Sequence, residues 1–93
     1  RTIELLAEDI LRPVMEHDAS QGSELFHTLA VYFRQNGRMR AAAGALFVHE
    51  HTLRYRLHRI ELLTGKNLKN LRESFELWLA VEAHALVTRD DQG

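Results

Sequence analysis

The 93-residue sequence contains no cysteine and a single proline, and no apolar run in it approaches the length of a membrane span. The first absence excludes disulfides and thiolate metal sites, and it suits a reducing, cytoplasmic compartment. The second leaves few points at which a helix is forced to stop. The third argues against a membrane-spanning helix. No signal-peptide pattern opens the chain, and residue 1 is Arg rather than Met, so the expectation is a piece of a longer protein. A chain this short builds one domain, near the lower limit at which an apolar core suffices without staples.

An excess of charge of either sign is lacking too, since the formal net charge is -1. Taken alone, that argues against a polyanionic partner. The distribution argues otherwise. Residues 1–33 hold two basic and six acidic groups, residues 34–69 eight and two, and residues 70–93 two and five. A partner responds to local potential within a Debye length of about 8 Å, not to the total. The feature to explain is therefore the central block, where Arg34, Arg38, Arg40, Arg54, Arg56, Arg59, Lys66 and Lys69 face only Glu50 and Glu61.

Apolar residues recur with helical spacing nearly throughout, and no segment alternates as a strand would. Ile3, Leu6, Ala7 and Ile10 follow this spacing until Pro13, which predicts a break or kink and a short further segment from Val14. His17 to Ser23 reads as a turn, with Ser23 as N-cap of a helix whose face is Leu25, Phe26, Leu29 and Phe33. Asn36-Gly37 stops that helix. Residues 38–47, RMRAAAGALF, make a short Ala-rich helix, Val48-His49 a tight connection, and an amphipathic helix runs on to about Thr64. Asn70 and Glu73 resemble a capping box. Leu71, Phe75, Trp78, Leu79 and Leu86 are expected to seat the last helix, with Leu77 and Val81 partly on its other side. The fold class expected is all-α, a bundle of five or six helices. Residues 1–22 form an N-terminal helical segment leading from an upstream region, 23–88 the helix-turn-helix part and 89–93 a frayed tail.

Met39 to Thr64, a short helix, a tight turn and a longer basic helix, follows the helix-turn-helix plan. Ala42 and Ala43 permit a close helix crossing, while Leu46 and Val48 point inward around the turn. Leu53, Leu57 and Ile60 sit at i, i+4 and i+7 and make the buried stripe of the longer helix. His51, Tyr55 and His58 then lie opposite, flanked by Arg54 and Arg59, with Thr52 near the Arg59 edge. Cations, a phenol, a hydroxyl and imidazoles suit phosphate oxygens and base edges in a major groove. A solvated basic face is the plainer alternative. The near-absence of acid on this face weighs against it.

The stretch NGRMRAAAGALFVHEHTLRYRLHRIELLTG closely resembles the C-terminal DNA-binding domain of PucR-type bacterial transcription regulators, a group that includes sugar-diacid and purine-catabolism regulators. The shared pattern is an Asn-Gly turn, an Ala-rich helix, Val-His, then Thr-Leu-Arg-Tyr-Arg-Leu and Thr-Gly. The likeness covers about residues 5–87, and the central unit also looks Fis-like. It implies sequence-specific binding of double-stranded DNA by a homodimer, with no cofactor. Any small-molecule effector would bind an upstream region. The implied contact positions are His49, Glu50, Thr52, Arg54 and Tyr55. The exposed face adds His51, His58 and Arg59, and Arg38 and Arg40 at the start of the preceding helix are expected to fix a phosphate. The sequence departs from the pattern at Glu50 and His51, where the family often reads Arg-Asn. A carboxylate repels phosphate, so Glu50 either accepts from a cytosine amino group or turns away.

Three other classes compete with this reading. A zinc motif needs histidines four apart, but position 53 is Leu. His49 and His51 lie about 200° apart if both are helical, and His51 and His58 roughly 10 Å apart. Catalysis lacks a nucleophile elbow or phosphate loop, and the nearest pair, His17 beside Asp18, falls in the expected turn. The alternative with most support is a protein-protein interaction or dimerisation module using the apolar last helix, residues 71–87.

Overall fold

The computed structural model describes the backbone of residues 2–92 and the side chains of residues 5–88. Five helices follow one another: α1 Thr2–Gln21, α2 Leu25–Arg34, α3 Met39–Leu46, α4 Glu50–Thr64 and α5 Leu71–Gln92. No strand occurs among the described residues. The expected all-α bundle is present, with five helices and not six.

The missing sixth helix traces to Pro13. α1 passes through it without interruption. Proline inside a helix costs roughly 3 kcal/mol through a lost hydrogen bond and a clash. Leu11 and Val14, on either side, are both fully buried. Each such side chain contributes about 1.5–3 kcal/mol, so packing outweighs the local penalty. The carbonyl deprived of its donor belongs to Asp9, which is exposed and so open to water.

Helix α1 also continues through His17, so the turn shrinks to residues 22–24 and Ser23 is not the N-cap of α2. Asp18 does the capping from the last turn of α1. Its carboxylate accepts the backbone N–H groups of Leu25 at 2.8 Å and Phe26 at 2.9 Å, and the Ser23 hydroxyl donates to the same group. His17 Nδ1 lies 2.8 Å from Ser23 Oγ and closes the cluster. Asp18→Ala removes acceptors from two helix-end donors. We expect a loss of about 1–2 kcal/mol, a fall in Tm of about 5–15 °C by calorimetry. A Tm unchanged within error would refute the cap.

Ala7, Leu11 and Val14 of α1, Leu25, Leu29 and Val31 of α2, Ala42 and Ala43 of α3, Leu53, Leu57 and Ile60 of α4, and Leu77, Ala80, Val81 and Ala83 of α5 form one core. Ala7, Leu11 and Val14, in the N-terminal helical segment expected over residues 1–22, contribute to this core; Ile3 lies outside the described side chains. α1 packs mainly along α5, and α2 is central, touching all four other helices.

The face of α5 differs from the expectation. Leu77, Ala80, Val81 and Ala83 are buried, whereas Leu71, Phe75, Trp78 and Leu86 are exposed. A helix apolar around most of its circumference has no periodicity that selects one side. Small side chains at 80 and 83 allow close approach of α1, and this decides which side turns inward. α5 extends to Gln92 because no glycine or proline interrupts it, so backbone that the sequence reading assigns to a frayed tail is helical to that point. Asn70 caps as expected, accepting Glu73 N–H at 3.1 Å, but Glu73 bonds the N–H of Asn67 and not that of Asn70.

Candidate nucleic-acid interface

The unit formed by α3, its turn and α4 follows from local chemistry. Asn36 and Gly37 both take left-handed φ values, 59° and 74°, and reverse the chain after α2. A Cβ on Gly37 would lie 3.3 Å from the Tyr32 hydroxyl, so glycine suits the position twice over. Burial and the nearby Glu61 carboxylate push the Tyr32 phenol above its ordinary range, which keeps it neutral. Ala42 and Ala43 are buried where α3 meets α2 and α4.

The turn after α3 is closed by Val48 N–H donating to Ala43 O at 3.0 Å and Phe47 N–H donating to Gly44 O at 3.2 Å. That pair of bonds is a Schellman motif, which needs a left-handed residue and usually takes glycine. Here the residue is Phe47, with φ 59° and ψ 41°. Its side chain is 94% exposed. A bulky residue in that conformation costs on the order of 1 kcal/mol. Neither burial nor backbone preference accounts for an aromatic here, beside the start of α4. Sequence periodicity could not single it out, because it reads as the last apolar residue of the preceding helix.

Along α4, Leu53, Leu57 and Ile60 are buried, and His51, Arg54, Tyr55, His58 and Arg59 are exposed, as the helical spacing requires. His49 and Glu50 are exposed as well, and Thr52 is half-buried. His49 is the N-cap, with φ -73° and ψ 154°, so the angular argument for two helical positions does not apply to it. Its ring stacks on that of His51 at a centroid distance of 5.6 Å. No group of three potential metal ligands occurs among the described residues. Glu50 occupies the first turn of a helix whose N-cap makes no side-chain bond, where a carboxylate is favoured by the helix dipole.

The basic block separates into two sets. Arg56 points inward, donating from Nη1 to the Thr28 hydroxyl at 3.2 Å, and Thr28 is fully buried. Lys66 Nζ meets Glu76 at 3.1 Å and ties the loop after α4 to α5. Arg38, Arg40, Arg54 and Arg59 are exposed, with no ion pair among the described residues. Arg38 is the N-cap of α3 and Arg40 lies in its first turn. His58 Nδ1 lies 3.7 Å from Glu61, whose other oxygen accepts the N–H of Leu68 at 2.8 Å. His58 is therefore drawn toward the end of α4, away from Arg54. A cleft of about 390 Å³ separates Thr52, Tyr55 and Arg59 from the α1–α2 turn at Gly22, Ser23 and Glu24.

Residues 25–83 match the PucR C-terminal helix-turn-helix domain. The chain belongs to the PucR family. It is 38% identical over 77 residues to the carbohydrate diacid regulator of Escherichia coli, covering 82% of this chain and 20% of that protein. Against the purine catabolism regulatory protein of Bacillus subtilis the identity is 35% over 68 residues, 73% of this chain and 13% of the relative. Against the proline-responsive transcriptional activator PutR of Bacillus subtilis it is 36% over 62 residues, 67% and 15%. The PucR-type chain described here thus spans a fifth or less of these relatives' lengths, and the match to the helix-turn-helix domain begins at α2. No helix among the described residues is long and apolar enough to cross a membrane.

Proposed function

We propose that this chain is the sequence-specific DNA-binding domain of a bacterial transcription regulator, with α4 entering the major groove. The observation that carries the reading is the outward face of α4. Arg54, Tyr55, His51 and Arg59 are exposed together, opposite Leu53, Leu57 and Ile60, and directly after a turn that fixes the angle of entry. Arg54 reads a base edge, since guanidinium can bond guanine bidentately. Thr52 and Tyr55 contact the backbone beside it, and His49 and His51 lie at the end of α4 that enters first. Arg38 and Arg40 hold a phosphate at the start of α3, where the dipole assists them. Arg59 contacts phosphate across the cleft, and His58, held near Glu61, contributes least. Phe47 adds an apolar contact to a thymine methyl or a sugar. Glu50 acts at the helix start and contributes no phosphate contact. The domain works in the cytoplasm on the nucleoid, as a pair of copies on two half-sites, with any effector bound elsewhere in a longer protein.

Selection of bound duplexes from a random pool, at low and high salt, tests this. A palindromic motif is expected, with affinity falling steeply as salt rises because each phosphate contact releases counterions. Recovery of no motif at either salt would sink the reading.

A further inference from the structure

We infer that the outer ridge of α5 is the surface through which two copies of this chain pair, antiparallel, about a two-fold axis near Trp78. The inference names the surface for the paired reading of DNA above and rests on that reading only for its purpose. Association itself needs no DNA.

Leu71, Phe75, Trp78 and Leu86 lie along one line of α5, with 88%, 55%, 39% and 58% of their surfaces exposed. Leu77, Ala80 and Val81 face the opposite way, into the core. At about 150–250 Å² per large side chain, the four ridge residues keep about 400 Å² of apolar surface in water. A standard interface takes about 800 Å² from each partner, of which about 57%, or roughly 450 Å², is apolar. The ridge nearly supplies that amount unaided. A patch of this size is of the order of the largest on a small monomer, about 300–600 Å², which is often a functional one.

The choice of a second copy as the occupant follows from symmetry. A surface that pairs with itself must be self-complementary. Leu71 and Leu86 lie about two turns to either side of Trp78, so an antiparallel copy sets Leu71 beside Leu86 of the second copy. Next to the ridge runs a groove of about 640 Å³ between α2 and α5, walled by Phe26, Phe33, Trp78 and Val81. Its α2 wall carries Arg34 and its α5 wall Glu82, so the surface offers a cation and an anion to the same two groups on its copy. α4 packs on α1, α2 and α3 and makes no contact with α5 among the described residues, so pairing leaves both DNA-reading faces open.

Sedimentation equilibrium of the 93-residue chain, from micromolar to millimolar concentration, tests the pairing. The expected result is a reversible monomer–dimer equilibrium. Leu71→Glu and Trp78→Glu should each raise the dissociation constant at least tenfold, roughly the loss of one interface anchor. Leu62→Glu, at a comparably exposed apolar position on α4, should leave it unchanged. Circular dichroism of each variant separates lost pairing from lost folding, and Leu71, almost wholly exposed, carries the test if Trp78→Glu unfolds. A chain that stays monomeric at millimolar concentration overturns the proposal, whether the ridge then serves another segment or another protein. So does dimerisation by Leu71→Glu and folded Trp78→Glu at the wild-type constant. Binding to a duplex with one half-site, measured on the same variants, should not change. Its failure in the wild type would refute the DNA reading and leave the pairing standing.

Discussion

Leu53→Asp is expected to leave the chain without a cooperative thermal transition, while Leu62→Asp on the same helix should melt within a few degrees of wild type. Leu53 is fully buried and Leu62 is largely exposed, so the same chemical change is made inside and outside the core. The inserted carboxylate must therefore lose its hydration or displace the helix, at a cost of several kcal/mol. Removing the leucine forfeits about another 2–5 kcal/mol of packing. A domain of this size has about 5–15 kcal/mol in total, and a short one sits toward the lower end. The two losses together take most or all of it. Differential scanning calorimetry of both variants checks the phase of α4: a cooperative Leu53→Asp transition near that of wild type would mean that this face is not the one turned inward.

On the proposed reading, Arg54→Ala is expected to weaken binding to the selected operator by about 1–3 kcal/mol, roughly 5- to 150-fold, and binding to unrelated duplex much less. The asymmetry is the informative part. A phosphate contact is lost equally from every sequence, whereas a base contact is lost only where that base is present. Arg54 is exposed on the outward face of α4, one turn past the helix start, and no carboxylate among the described residues holds it. Arg54→Lys keeps the charge but loses the planar fork, and it should recover nonspecific binding while regaining little specificity. Fluorescence anisotropy with operator and scrambled duplexes reads both. Equal losses on the two would move Arg54 to the phosphate set and leave base reading to other residues.

The parts of this molecule that were legible in its sequence are those in which one face of a helix is apolar and the other is not. α4 is the plainest case: Leu53, Leu57 and Ile60 stand against arginines and imidazoles, and the structure buries the first set and exposes the second. The left-handed stop at Asn36-Gly37 and the Gly65 C-cap of α4 were legible for a different reason, because few residues adopt that backbone. Legibility failed where tertiary packing overrides local preference. Pro13 stays in a helix because Leu11 and Val14 hold it there, and no local pattern reports that. α5 is apolar on both sides, so its buried face is chosen by the surfaces of α1 and α2. Arg56 falls beside the buried stripe by helical phase, but its partner, the Thr28 hydroxyl, is a distant residue in the chain that no local pattern reports. Phe47 was hidden because a left-handed phenylalanine has no sequence signature. The pattern of side chains names a helix face; it does not name the partner that an inward arginine finds.

The hydrogen bonds that run from α1 to α4 have a mechanical consequence. Asp18 holds the start of α2, Thr28 Oγ donates to Glu24 O one turn further on, and Arg56 reaches back from α4 to the Thr28 hydroxyl. These links and the shared core leave no swivel between α1 and α4, which also pack directly on each other. A rotation of α1 therefore carries α4 with it. The lever arm is α1 itself, and the hydrogen-bonded joints act in parallel with the packed core.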